Sequence, residues 1–285
     1  ITNASAYSQM IGFTRDEIKK YYIDYLKLAS SYENSCSVDN VTDEQIESLL
    51  DRLAKNYDGY CFDEDYEKKV FSTWSVNTFF QTMVGKKKVQ FGEYWYDNGG
   101  LPSILVNYLK THELNIFEYL DKDKFLKVSS DDFKNPTALT TINQNVLMCQ
   151  TGYLTLRSDL NKTSTVALGI PNGEIYKALN RLLANNIFKG NTDITDDYGR
   201  SLLEVGTVDD IINLFNSALN SVSYDNYPIV SESSVQNMLK LYLLGAHQKV
   251  LSEVHEAKGR ADLVVNTDNR RIVFEFKYAK NETEA

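Results

Sequence analysis

Apolar positions recur at helical spacing along most of the chain. Thr14-Arg-Asp-Glu17 has the form of a capping box and leads into Ile18, Tyr21, Tyr22, Tyr25 and Leu26. Thr42-Asp-Glu-Gln45 repeats the signal ahead of Ile46, Leu49, Leu50 and Leu53, with Gly59 as the expected stop. Ser75 predicts the cap of a helix through Phe79, Phe80 and Met83, and residues 101–110 predict another. Further helices are expected over residues 114–120 and 143–150, from Pro171-Asn172 through Leu183, and from Thr207 through Leu219. Residues 153–157 and 163–168 alternate around a polar loop, which predicts a hairpin. A last helix is expected over residues 232–246, with Val235, Met238, Leu239, Tyr242 and Leu243 on one face.

The period then changes. Two short apolar runs, one through Asp262-Leu-Val-Val and one from Ile272 to Lys277, flank the turn Asn266-Thr-Asp-Asn-Arg270. This is a hairpin signature. Alternation along the second strand puts Glu275 and Lys277 on one face, and strand pairing brings Asp262 beside them. Two carboxylates held close repel each other, and a hard divalent cation such as Mg²⁺ or Mn²⁺ relieves that repulsion. A lysine two residues beyond the second acid can stabilise charge developing on a phosphate. The plain alternative is a solvated strand face carrying a weak cross-strand ion pair, since Glu-x-Lys alone is common.

The order of an acid followed by Glu-x-Lys on the next strand resembles the PD-(D/E)xK nuclease superfamily. Gly259-Arg-Ala-Asp262-Leu-Val and Phe274-Glu275-Phe-Lys277 are similar to the nuclease domain that follows an AAA-ATPase-like domain in many bacterial proteins. The usual Pro-Asp is Ala261-Asp262 here. The resemblance implies Asp262 and Glu275 as metal ligands, and Asp262, Glu275 and Lys277 as the catalytic set. It implies Arg260 as a phosphate contact and Glu232, in the helix before the sheet, as an assisting acid. Glu253 and Glu256 are read as surface residues. A second resemblance covers roughly the first 110 residues. Ile11-Gly-Phe-Thr14, Tyr57-Asp-Gly-Tyr60, Trp74-Ser75, and Tyr94-Trp95 followed by Gly99-Gly100 resemble the helical, lid-like C-terminal half of the AAA-ATPase-like family. Taken as residues alone, these aromatics are core.

The expected fold class is therefore α+β. Mostly helical N-terminal and middle regions precede a small PD-(D/E)xK-type α/β domain whose sheet is expected to be incomplete at residue 285. The expected domains are 1–110, the C-terminal helical part of an AAA-ATPase-like domain; 111–220, a helical linker region read either as plain scaffolding or as a winged-helix-like module; and 221–285, the nuclease-like domain. No G-x-x-x-x-G-K-[ST] motif is present, so no ATP site is expected in this fragment. The first residue, Ile1, is read as the start of a piece of something longer.

Composition adjusts this picture in three ways. The net charge of −9 argues against a generally basic nucleic-acid binder. Between residues 249 and 280, however, seven basic residues stand against five acids, which suits a local anionic partner. Cys36, Cys61 and Cys149 form no disulfide framework, and the three histidines have no metal-ligand spacing, which fits a cytoplasmic protein. No apolar run reaches membrane-spanning length. The expected function is Mg²⁺-dependent phosphodiester hydrolysis on DNA or RNA, coupled to an ATPase-like module. The alternatives are a catalytically inactive nuclease-like binding or assembly module and a plain interaction scaffold. Oligomeric state is left open.

Overall fold

The computed structural model describes residues 4–97, 102–112, 114–160, 162, 164–188, 197–246, 248–256 and 259–279. The fold is α+β, mostly helical, with two small antiparallel sheets. The chain divides into two compact units, residues 1–114 with 121–178, and residues 115–120 with 179–285.

The first unit opens with α1 (Arg15–Tyr21), α2 (Ile23–Asn34), α3 (Asp43–Tyr57) and α4 (Thr73–Lys86). The capping boxes of Thr14 with Glu17 and of Thr42 with Gln45 are both formed. The single helix expected after Thr14 breaks at Tyr22, which leaves helical geometry at φ −112°, ψ 18°. Tyr22 turns its ring onto Phe13 and Phe80 and donates to Asn77 Oδ1 at 2.6 Å, so Tyr21 and Tyr25 are left exposed. The cap of α4 is Ser72, whose side chain accepts from the Ser75 amide, three residues earlier than expected. Ile18, Leu26, Leu49, Leu53, Tyr57 and Phe79 form the core of this bundle. The Ile11-Gly-Phe and Tyr57-to-Tyr60 segments dock on it through bridges of Phe13 with Phe71 and Tyr60 with Val70. Gly59 sits at φ +97°, and a Cβ there would stand 2.3 Å from Pro171 O, so both conformation and space require glycine.

The unit continues with α5 (Tyr94–Asp97), α6 (Ser103–Leu109), β1 (Leu126–Ser129), α7 (Ser130–Lys134), α8 (Gln144–Gln150), β2 (Thr155–Leu156), β3 (Thr165–Gly169) and the start of α9 (Gly173–Ile187). The expected hairpin is present as β2 and β3, and β1, not foreseen from the sequence, adds to make the order β1-β3-β2. The helix expected at 114–120 is only a 3₁₀ turn at Ile116–Glu118. Gly99, Gly100 and Leu101 lie outside the described residues.

The second unit holds the rest of α9, α10 (Asp197–Val205), α11 (Val208–Asn220), α12 (Glu232–Gly245), and the antiparallel sheet β4 (Lys249–Glu256), β5 (Gly259–Asn266) and β6 (Arg271–Phe274). Thr207 and Ser231 cap α11 and α12 through reciprocal side-chain bonds. Phe188 and Phe215 meet the Tyr242 ring edge-on, and Phe215 also packs on Phe274, which ties the helices to the sheet. Gly245 lets α12 approach α9: a Cβ there would lie 2.3 Å from the Ala184 methyl. The β5–β6 turn is anchored by Arg270, which donates to Leu203 O at 2.6 Å, Leu202 O at 2.8 Å and Gly206 O at 2.9 Å at the end of α10. Leu203 O is among the carbonyls a helix C-terminus leaves without intrahelical partners, and Leu202 O also accepts from the Gly206 amide at 2.9 Å.

Candidate active site

The candidate site lies on the central strand of the C-terminal sheet. Residues 261–265 of β5 are buried in succession, as expected for a strand paired on both sides and covered by helices. Asp262 is the charged member of that run, with 8% of its surface exposed. A carboxylate so placed needs partners, because burial disfavours its charge. Its Oδ2 accepts from the Phe276 amide at 2.9 Å, and its main-chain oxygen accepts from Gln236 Nε2 at 3.0 Å.

Register decides which acids share its face. The β5–β6 ladder pairs Leu263 with Phe274 and Val264 with Val273, so Glu275 is the next residue to fall opposite Asp262. The ladder stops there, and the Phe276 amide bonds to the Asp262 side chain. The Phe274 and Phe276 rings stack on each other at 6.2 Å. Side chains alternate across a strand, so Phe274 and Phe276 share the Leu263 face and Glu275 shares the face of Asp262. Lys277 follows two residues on, with Nζ 3.6 Å from Glu232 Oε1 of α12. Lys277 is largely exposed, and this is a loose surface ion pair.

The other side of β5 brings in an acid that sequence reasoning assigned to the surface. The β4–β5 ladder pairs Ser252 with Leu263 and Val254 with Ala261, which sets Glu253 opposite Asp262. Glu253 has φ +53° and does not pair, a local kink in an otherwise regular ladder. Its Oε2 lies 2.6 Å from Arg260 Nε, and its Oε1 accepts from Gln236 Nε2 at 3.3 Å. Glu253 of β4 thus stands across from Asp262 of β5, and Glu275, the first residue past β6, falls opposite Asp262 on the other side. Arg260 lies on the β4 side of that row, Lys277 follows Glu275, and Glu232 and Gln236 reach in from one turn of α12. Gln236 was missed by the sequence reading. Its signal is its place one helical turn after Glu232. Glu256 is the last residue of β4.

The donor set is all oxygen, which suits a hard divalent ion that keeps several of its waters. Among the described residues, no three or more His, Cys, Asp or Glu side chains gather closely enough to hold a metal by themselves. Asp262 and Glu275, which the register sets opposite each other, are the two acids that would hold such an ion, and the ion would supply Lewis-acid chemistry there.

A second feature lies in the first unit. Glu174 of α9 is buried, with Oε2 accepting from Ser75 Oγ at 2.7 Å and Oε1 from the Trp95 amide at 2.8 Å. Burial pushes its carboxyl up to about 7. Trp95 also lines a cavity of about 570 Å³ with Tyr60, Cys61, Phe62, Phe133 and Cys149. Among the described residues, no Asp, Glu, Lys, Arg or His lines that cavity, and its titratable side chains are Tyr60, Cys61 and Cys149.

Among the described residues, no helix is long and apolar enough to cross a membrane. No curated protein and no solved structure matches the chain. A family model described as the PD-(D/E)XK nuclease superfamily matches residues 230–285, the stretch that contains α12, the three-stranded sheet and every residue of the candidate site.

Proposed function

We propose that the C-terminal region is a metal-dependent nuclease acting on the phosphodiester bonds of DNA or RNA. The observation that carries this reading is the pairing register, which sets Glu275 beside Asp262 while the Asp262 carboxylate replaces a main-chain acceptor for Phe276. Asp262 and Glu275 would hold Mg²⁺ or Mn²⁺, and the bound ion would supply Lewis-acid polarisation and a more acidic water. Asp262 is fixed for this task by the Phe276 amide, so little reorganisation is needed. Lys277 leaves its exposed contact with Glu232 to face the phosphate, where a positive charge favours the developing negative charge. Glu232 is then released toward the same face as an assisting acid, and Arg260 contacts a neighbouring phosphate. We assign residues 221–285 to this domain and residues 111–220 to a connecting region. Residues 1–110 are assigned to the lid-like half of an AAA-ATPase-like module that couples to it, on the motifs around Gly12, Tyr57, Trp74 and Trp95.

A second reading, a nuclease-like domain that binds nucleic acid without cleaving it, is favoured by one observation. No three-ligand metal group is gathered among the described residues. Cleavage of labelled single- and double-stranded DNA and RNA with Mg²⁺ or Mn²⁺ decides between the two. On the first reading Lys277→Met lowers kcat about 10²-fold or more with metal affinity level or higher, the scale of losing one preorganised charge. Asp262→Asn loses metal binding and cleavage together. Cleavage by Lys277→Met at the wild-type rate removes Lys277 from the mechanism. Metal-dependent binding without cleavage by the wild type supports the second reading.

A further inference from the structure

The strained residue in the C-terminal sheet is Glu253, and its strain has no structural return of its own. A non-glycine residue with a left-handed backbone is costly, and such strain persists where surrounding contacts hold it in place for a task. Here φ is +53°, and the residue occupies the one position of β4 that skips its partner, directly across from Asp262. Its contact with Arg260 is half exposed, 46% and 58% for the two side chains, and exposed ion pairs contribute little to stability. A contact worth so little does not account for a kinked central ladder.

The geometry of the contact suggests what does. Glu253 takes Arg260 at Nε, at 2.6 Å, and this leaves both Nη groups with no partner among the described residues. Gln236 steadies the other Glu253 oxygen at 3.3 Å and, through the same amide nitrogen, the main-chain oxygen of Asp262 at 3.0 Å. One glutamine therefore references both the arginine's holder and the metal-binding acid to α12. A guanidinium held by its Nε edge still presents two parallel N–H donors, the arrangement that receives a phosphate bidentately.

We propose that Glu253 is a positioning residue that holds Arg260 as a preset fork for a substrate phosphate next to the scissile one. The fork needs the carboxylate oxygens to sit between Gln236 and Arg260, and the left-handed turn of residue 253 places them there. The inference rests on the nuclease reading above. It adds that substrate grip on this side of Asp262 depends on an acid, although that acid repels the substrate by charge.

The test is steady-state cleavage of a fluorescein-labelled oligonucleotide by the intact protein, with thermal unfolding measured in parallel, for Glu253→Gly, Glu253→Gln, Arg260→Ala and the Glu253→Gly/Arg260→Ala pair. Glycine relieves the backbone, so Glu253→Gly should melt at or above the wild-type temperature. Its KM should nevertheless rise about tenfold with kcat changed less than about twofold, the pattern of lost uniform binding. Arg260→Ala should match it, and the double variant should be no worse than either single one, since both remove the same contact. Glu253→Gln, which keeps an oxygen for Arg260, should fall between. The proposal is overturned if Glu253→Gly melts lower with KM unchanged, if the two single effects multiply, or if kcat and metal affinity fall with KM unchanged. Wild-type cleavage that is lost in Lys277→Met but untouched by the Glu253 variants refutes the fork and leaves the nuclease reading standing. A wild type that neither cleaves nor binds nucleic acid removes both.

Discussion

Replacing Glu174 with glutamine should change the pH dependence of folding in the first unit by an amount that can be worked out in advance. In the folded chain burial raises this carboxyl to about 7, against its ordinary 4.5. Between those values the folded state keeps a proton that the unfolded chain releases, so stability falls as pH rises. The contribution is fully present below about pH 4.5 and gone above about pH 7. At about 1.4 kcal/mol per pH unit the full range amounts to about 3 kcal/mol, of which about 2 kcal/mol lies between pH 5.5 and 8. Glutamine can still accept from the Trp95 amide and can donate to Ser75 Oγ, and it does not titrate. The two proteins should therefore unfold alike below about pH 4.5 and draw apart as pH rises, with Glu174→Gln gaining about 2 kcal/mol on the wild type between pH 5.5 and 8. Tryptophan fluorescence in a urea series reads this unit directly. The chain has two tryptophans, Trp74 and Trp95, and both belong to the first unit. Parallel stability profiles for the two proteins from pH 5.5 to 8 would refute the reasoning, because the proton would then not be held by Glu174.

Two further outcomes follow from the second unit. Arg270→Ala should destabilise it by about 2–4 kcal/mol, since it strips charged donors from three helix-end carbonyls; Arg270→Lys should recover little because an ammonium cannot span all three, and hydrogen exchange of the β5 and β6 amides checks both. Glu275→Gln should weaken Mn²⁺ and Mg²⁺ binding in calorimetry at least about tenfold by removing one of two carboxylates, and identical binding isotherms for the two proteins would move the metal elsewhere.

Local signals in the sequence were read well where they are self-contained. Thr14 with Glu17, Thr42 with Gln45, and Thr207 with Asp210 close their caps within one turn, so three or four residues carry the whole instruction. The errors lie where a distant residue decides. Tyr22 has the spacing to continue α1, but Phe80 and Asn77, more than fifty positions away, draw its side chain aside and break the helix. Leu126–Ser129 alternates over only four residues and becomes a strand because β3 offers a free edge. Ser75 has the residue type of a cap, yet Ser72 takes the position and leaves the Ser75 hydroxyl to bind Glu174, ninety-nine residues on.

The candidate site divides along the same line. Asp262, Glu275 and Lys277 are expected on one face from alternation and a short turn, because both operate within one hairpin. Glu253 could not, since its role depends on the register of a third strand. The sequence gap between β4 and β5 does not state that register, whereas the ladder does: with Ser252 opposite Leu263 and Val254 opposite Ala261, Glu253 meets Asp262. A slip of one residue would have turned Glu253 to the opposite face and brought Ser252 or Val254 across from Asp262. Arg260 and Gln236 then acquire meaning only through Glu253, which one holds by its Nε and the other by its amide. A residue read alone as a surface acid thus links the strand that carries Asp262, the arginine beside it and the helix behind it. Its left-handed backbone is the physical mark of that link.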